Sequence, residues 1–226
     1  MPAPTIVFDL DGTLVDTAPD LIETLNVLLQ RHDVAPVAFD QARSMIGAGV
    51  KPLLQRALAL KGLELPPDEI EALYQEYLPL YAARIADRSR PFPGLEDALD
   101  QLAARGCCFA VCTNKLEWLS VRLLEQLGMA SRFAAICGQD TFAMRKPDPE
   151  MLRLTIARAG GAFTHAVMVG DSMTDVATAR AAGVPVVAVD FGYTEIPPRE
   201  LGADRLISHF EALVPAVEDL LPAWAS

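Results

Sequence analysis

The chain has 226 residues, 51% of them hydrophobic and 22% charged, and carries a formal net charge of −11. That length supports one sizeable core with a smaller appendage, and the composition excludes a disordered polymer. The acidic balance excludes nucleic acid as the main partner, and the shortness of every apolar run excludes a membrane span.

The first predicted element is a buried strand over residues 5–10, leading into Asp9-Leu10-Asp11-Gly12-Thr13. Its apolar stretch is too short for a secretory signal and is broken at once by two aspartates, so a cytoplasmic chain is expected. Between residues 18 and 88 no strand pattern occurs. Amphipathic stretches at 19–30, 39–45, 50–60 and 67–85 instead predict a small helical bundle. The run DRSRPFPG at 87–94 reads as a return linker stiffened by Pro91 and Pro93. Beyond it, strand-like runs at 108–112, 134–137, 166–169 and 185–189 alternate with helical patterns at 95–104, 116–127, 149–159 and 173–182. Glycines follow these helices, as at Gly106, Gly128, Gly160 and Gly183. The alternation predicts an α/β chain: a Rossmann-like three-layer core with a parallel sheet, plus an inserted α-helical cap. The expected division is 1–16 with 89–226 for the core and 17–88 for the cap, with hinges near 15–17 and 88–92.

In an open sheet of this kind, ligands bind beyond the carboxyl ends of the strands. Four such ends carry polar groups: Asp9 and Asp11, then Thr113, Asn114 and Lys115, then Lys146, then Asp171, Ser172 and Asp175. Lys146 offers a positive point charge to a phosphate dianion, and Thr113 offers a hydroxyl donor. Two carboxylates beside a phosphate would repel it without a hard cation, and Asp9 and Asp171 suit Mg²⁺ with an oxygen shell completed by water and a backbone carbonyl. Asp175 lies one helical turn beyond Asp171, on the same side. Bland roles compete: Thr113 and Asn114 also suit the cap of a helix at 116, and Asp171 and Ser172 the cap of a helix at 173. The four cysteines, Cys107, Cys108, Cys112 and Cys137, form no C-x-x-C pair and are expected as buried free thiols in a reducing compartment. His32, His165 and His209 have no ligand spacing and are expected to be structural or surface residues.

Four motifs, DLDGT at 9–13, TN at 113–114, KP at 146–147 and GDSMTD at 170–175, resemble those of the haloacid dehalogenase-like superfamily. The likeness extends over essentially the whole chain and is to phosphatase-type members, which carry a second aspartate two residues after the first. What it implies is a hydrolase in which Asp9 attacks phosphorus to form an aspartyl-phosphate, and Asp11 protonates the leaving alkoxide and then activates water. Mg²⁺ would be held by Asp9, the Asp11 backbone carbonyl and Asp171, supported by Ser172 and Asp175. Gly12, Thr113, Asn114 and Lys146 would bind the phosphoryl group of a small anionic phosphate ester. β-Phosphoglucomutase-like phosphomutases, pyrophosphatases and sugar-phosphate phosphatases share these motifs, so substrate choice falls to the cap. There Arg43 and Lys51 flank the Gly47–Gly49 loop and are candidates to meet a substrate carboxylate. A non-catalytic phospho-ligand binding module is the remaining alternative, and it would show no turnover.

Overall fold

The structure is a computed structural model and describes residues 4–221. The chain opens with β1 (Thr5–Phe8) and a two-residue strand β2 (Val15–Asp16). Four helices follow: α1 (Ala18–Arg31), α2 (Phe39–Arg43), α3 (Val50–Ala59) and α4 (Pro67–Ala83). A second two-residue strand, β3 (Arg90–Pro91), precedes α5 (Leu95–Ala104), β4 (Cys108–Cys112), α6 (Glu117–Gln126) and β5 (Ala135–Cys137). The chain continues through α7 (Pro149–Arg158), β6 (Ala166–Gly170), α8 (Met173–Ala182), β7 (Val186–Val189), β8 (Arg205–Ile207) and α9 (Leu213–Leu220).

Six strands form one sheet in the order β5-β4-β1-β6-β7-β8, and every neighbouring pair is parallel. β1 lies inside it because all four of its residues are buried, and a strand apolar on both faces requires cover on both sides. Strand alternation divides that cover. Ile6, Phe8, Phe109, Val111, Val167 and Val169 face a cluster completed by α5, α6, α9 and the helices inserted after β2. Val7, Ala110, Cys112, Met168 and Ala188 face a second cluster completed by α7 and α8. This is the expected three-layer α/β core.

Two details depart from the sequence reading. The sheet gains β8, a three-residue edge strand whose Arg205 and Leu206 are exposed. The stretches expected as plain linkers pair with each other: β2 and β3 form an antiparallel ribbon with Val15 opposite Pro91 and Asp16 opposite Arg90. Buried Asp20, in the first turn of α1, ties this region together. Its carboxylate accepts the Arg88 N–H, the Ser89 N–H at 2.7 Å and the Ser89 hydroxyl at 2.6 Å. All four helices of the inserted stretch lie between the two strands of the ribbon, with α4 packing against α1 and α3. Among the described residues, no helix is long and apolar enough to cross a membrane.

The cysteines carry no disulfide. Burial pushes the Cys107 and Cys112 thiols up to about 12, so neither is a ready thiolate.

Candidate active site

The polar loops converge at the carboxyl ends of β1, β4 and β6. Asp9 leaves β1 with its N–H bonded to the Val169 carbonyl at 2.9 Å, so the backbone of the neighbouring strand fixes where its carboxylate starts. Gly12 then turns at φ +83°, a conformation glycine adopts without strain. A Cβ there would overlap Asp171 Oδ2 and press on the Tyr193 ring, so the chain can pass this close only without a side chain.

Asp9, Asp171 and Asp175 are all buried, and one oxygen of each lies within 4.8 Å of the others. Lys146 Nζ stands 2.6 Å from Asp175 Oδ1 and 2.9 Å from Asp9 Oδ1. The second approach lacks hydrogen-bond geometry, and Asp9 Oδ1 is left with no hydrogen-bond partner. Asp171 accepts the Tyr193 N–H at 2.6 Å on Oδ2 and the Thr13 hydroxyl at 3.4 Å on Oδ1. Ser172 and Asp175 form a reciprocal capping box at the start of α8, which fixes Asp175 while it receives Lys146.

One ammonium does not neutralise three carboxylates, and the titration behaviour follows. Burial, only partly offset by Lys146, raises Asp9 to about 6. Burial and then the Asp175 and Asp9 charges raise Asp171 well above the usual carboxylate range. Lys146 is also raised, but here the shift holds the charge: burial opposes it, and Asp175 and Asp9 outweigh that and push it up. A crowded set of hard oxygen donors with one orphaned buried oxygen and excess negative charge fits a divalent cation such as Mg²⁺.

Thr113 follows β4, with its N–H bonded to the Cys137 carbonyl at 3.0 Å and its hydroxyl oxygen accepting the Lys115 N–H at 3.2 Å. Asn114 donates to the Lys146 carbonyl at 3.3 Å, and its Oδ1 is buried without a partner. Neither caps the next helix. Leu116 is the residue before α6, and the Glu117 N–H donates instead to Asp140 at 2.7 Å. Ser172 does cap α8, whereas Asp171 does not: it takes the Tyr193 N–H instead.

Asp11 is held differently. Its carboxylate accepts the Thr17 hydroxyl at 2.7 Å and Lys115 Nζ at 2.9 and 3.2 Å. Lys115 also donates to the Tyr81 hydroxyl at 2.8 Å. A narrow cavity begins at Asp9, Asp11, Thr113, Asn114 and Lys115 and is closed opposite them by Leu21, Ile46, Val50, Leu53, Leu78 and Tyr81. Lys115 is the cation that lines it.

The two cations expected to face this space do not line it. Lys51 lies at the start of α3, half exposed, 2.5 Å from Glu71 and over the Tyr74 ring. Arg43 donates to the Phe191 carbonyl at 3.0 Å and stacks over Tyr193. Both already have partners: Lys51 within the helical segment, and Arg43 across the seam between that segment and the core. The sequence places Lys115 at the strand end with Thr113 and Asn114 but assigns it no role, because a lysine just before a helix has the pattern of a surface residue. The available signal was its place directly after Thr113-Asn114, with Tyr77 and Tyr81 spaced to share one face of α4.

Comparison with known proteins gives consistent matches. A family model described as haloacid dehalogenase-like hydrolase matches residues 6–189. The chain is 46% identical over 219 residues to phosphoglycolate phosphatase of Agrobacterium fabrum, covering 97% of this chain and 94% of that protein. It is 48% identical over 213 residues to phosphoglycolate phosphatase of Mesorhizobium japonicum, covering 94% of each. Among solved structures, a protein of Haemophilus somnus described as a predicted phosphoglycolate phosphatase superposes with a TM-score of 0.88 at 28% identity. That match covers 95% of this chain and 97% of the other.

Proposed function

Because this chain belongs to the haloacid dehalogenase-like hydrolases, we propose that it is a Mg²⁺-dependent phosphomonoesterase acting on 2-phosphoglycolate through an aspartyl-phosphate. The observation that carries this reading is the pairing of two unlike carboxylates on one loop. Asp9 is buried beside Lys146 with an unbonded oxygen, whereas Asp11 faces the cavity in the grip of Lys115 and Thr17. The relatives named above supply the substrate, and its carboxylate would find Lys115 along the cavity wall.

On this reading an Asp9 oxygen attacks phosphorus, forming the carboxyl–phosphoryl bond as the ester oxygen departs, and Asp11 delivers its proton to that oxygen. Asp11, now ionised, takes a proton from water, whose oxygen attacks phosphorus and frees Asp9 and inorganic phosphate. Thr113, Asn114 and Lys146 would supply donors to the phosphoryl oxygens, and the turn at Gly12 leaves room for them. Asp9, Asp171 and the Asp11 main-chain carbonyl would hold Mg²⁺, with Asp175 and Ser172 bracing the set. That ion, when bound, supplies the charge that lets a carboxylate approach a phosphate dianion.

The cavity encloses about 30 Å³ of free space, on the scale of one or two water molecules. Substrate therefore enters when residues 17–88 swing as a cap on the core of 1–16 and 89–226, hinged at the β2–β3 ribbon, and closure then excludes water. Its buried free thiols suit a reducing cytoplasm.

The test is turnover by purified protein with Mg²⁺ against a panel of phosphorylated metabolites. Free phosphate is expected, with 2-phosphoglycolate giving the highest kcat/KM. An isomeric sugar phosphate as product would identify a mutase, and absence of metal-dependent turnover on every ester would identify a binding module.

A further inference from the structure

The Phe191-Gly192-Tyr193 run after β7 takes no part in the steps above, yet Tyr193 joins Asp171 to the Gly12 turn, the ribbon strand and the start of α1. Its N–H holds Asp171 Oδ2 at 2.6 Å. Its hydroxyl donates to Asp16 Oδ1 at 2.6 Å, on the ribbon strand β2, and accepts the Ala18 N–H at 3.0 Å, at the first residue of α1. Its ring lies against Gly12 of the nucleophile loop and beneath the Arg43 guanidinium, 5.2 Å from the ring centre. The residue is buried, so the hydroxyl has no solvent substitute at hand for either bond.

We propose that Tyr193 is a positioning residue that couples cation binding at Asp171 to the ordering of the linker at 16–18, and hence to closure of the helical segment. This rests on the reading of Asp171 as a Mg²⁺ ligand. A displacement of the Asp171 carboxylate pulls the Tyr193 backbone directly. Through a rigid ring the same displacement reaches a hydroxyl whose donor and acceptor roles are both taken. The linker then either keeps both bonds or loses both. Linkage is reciprocal: an ordered linker strengthens cation binding as much as cation binding orders the linker.

The Ala18 amide is itself one of these bonds, so its hydrogen exchange reads the coupling without any turnover. In the wild-type chain, saturating Mg²⁺ is expected to slow Ala18 exchange by at least about fivefold. In Tyr193→Phe, which keeps the backbone N–H on Asp171, Ala18 should exchange fast with or without Mg²⁺, while β1 and β6 amides stay protected. Calorimetric Mg²⁺ affinity should fall several-fold in the same variant. Should Tyr193→Phe fail to fold, Asp16→Ala removes the acceptor from the other side and carries the same expectation. Equal Mg²⁺-dependent protection of Ala18 in variant and wild type would overturn the coupling, as would none in a wild type that binds Mg²⁺. A wild type that takes up no Mg²⁺ in calorimetry removes the metal reading first, and the coupling with it.

Discussion

The two walls of the cavity are built on opposite principles. On the sheet side, Asp9, Thr113, Lys146, Asp171 and Asp175 are held by backbone bonds from neighbouring strands, by a capping box and by one another, and Asp11 by Thr17 and Lys115. On the helical side the wall is Leu21, Ile46, Val50, Leu53 and Leu78, with the Tyr81 hydroxyl as a polar contact to Lys115. The sheet side has little freedom to rearrange, because moving one carboxylate breaks several bonds at once. The helical side meets it mainly through non-directional apolar contact, with a few directional bonds at the margin, such as Arg43 to the Phe191 carbonyl and Arg56 to Glu195. On the proposed function, reaction type would reside in the bonded wall, and substrate choice in how the apolar wall presents a few polar groups.

The deepest break in that comparison is expected from Asp9→Asn, which removes the attacking anion and leaves the packing. Turnover should fall by about four orders of magnitude or more. Circular dichroism should remain unchanged, and quenched wild-type enzyme should show the phosphoryl adduct on Asp9 by mass spectrometry. An adduct elsewhere would refute the assignment.

A second break concerns charge on the rigid wall. Asp9 is raised to about 6 in the metal-free protein, against about 4 when unfolded. The folded state therefore holds the extra proton between those values, and this contribution to stability is lost as pH rises through about 6. Mg²⁺ competes with that proton. The rise in Tm on adding Mg²⁺ should be larger at pH 7.5 than at pH 5, and EDTA should abolish activity. A Mg²⁺-induced shift independent of pH would contradict the crowding of Asp9 with Asp171.

Lys115→Met sharpens the comparison, since Lys115 stands where the walls meet. If it reads the substrate carboxylate, kcat/KM for 2-phosphoglycolate should fall about ten- to a hundredfold, as for one lost charged hydrogen bond, while ethyl phosphate is spared. If it serves only to orient Asp11, both should fall alike and para-nitrophenyl phosphate, whose leaving group needs no proton, should hold its rate. The smallest effect is expected at Lys51→Ala. Its ion pair with Glu71 is half exposed and worth at most about 1 kcal/mol, so kcat/KM should change less than about twofold.

These contrasts also explain what the sequence disclosed. Buried strands such as 5–8 and 166–170 announce themselves, because two covered faces demand continuous apolar runs. The carboxylates stand out because aspartate beside such a run is costly without a partner. β8 and the β2–β3 ribbon are two or three residues long, too short for any period to register. Arg43 and Lys51 were legible as cations but not as partners of Phe191 and Glu71, pairings that depend on how helices dock. Asp20 reads as an ordinary first-turn acid, and only the fold brings Arg88 and Ser89 to its carboxylate.

The ribbon has a consequence for how this chain tolerates change. Because Asp16 faces Arg90 across it, both ends of the helical insertion leave the sheet side by side, and the rest of the fold meets a closed loop whatever that loop contains. Closing a flexible loop costs about 0.6 kcal/mol more for each doubling of its length, so about seventy residues in place of a turn of about four cost about 2.5 kcal/mol in closure entropy, which packing of the inserted helices can offset. The insertion point is thus a socket. Helical segments of other lengths and wall chemistries can be exchanged there while Asp9, Lys146 and Asp171 keep their backbone anchors. On the proposed function, replacing that one contiguous segment would change the substrate range, provided the new segment again completes the cover on the Phe8 and Phe109 face of the sheet and again supplies the partner that Thr17 gives Asp11.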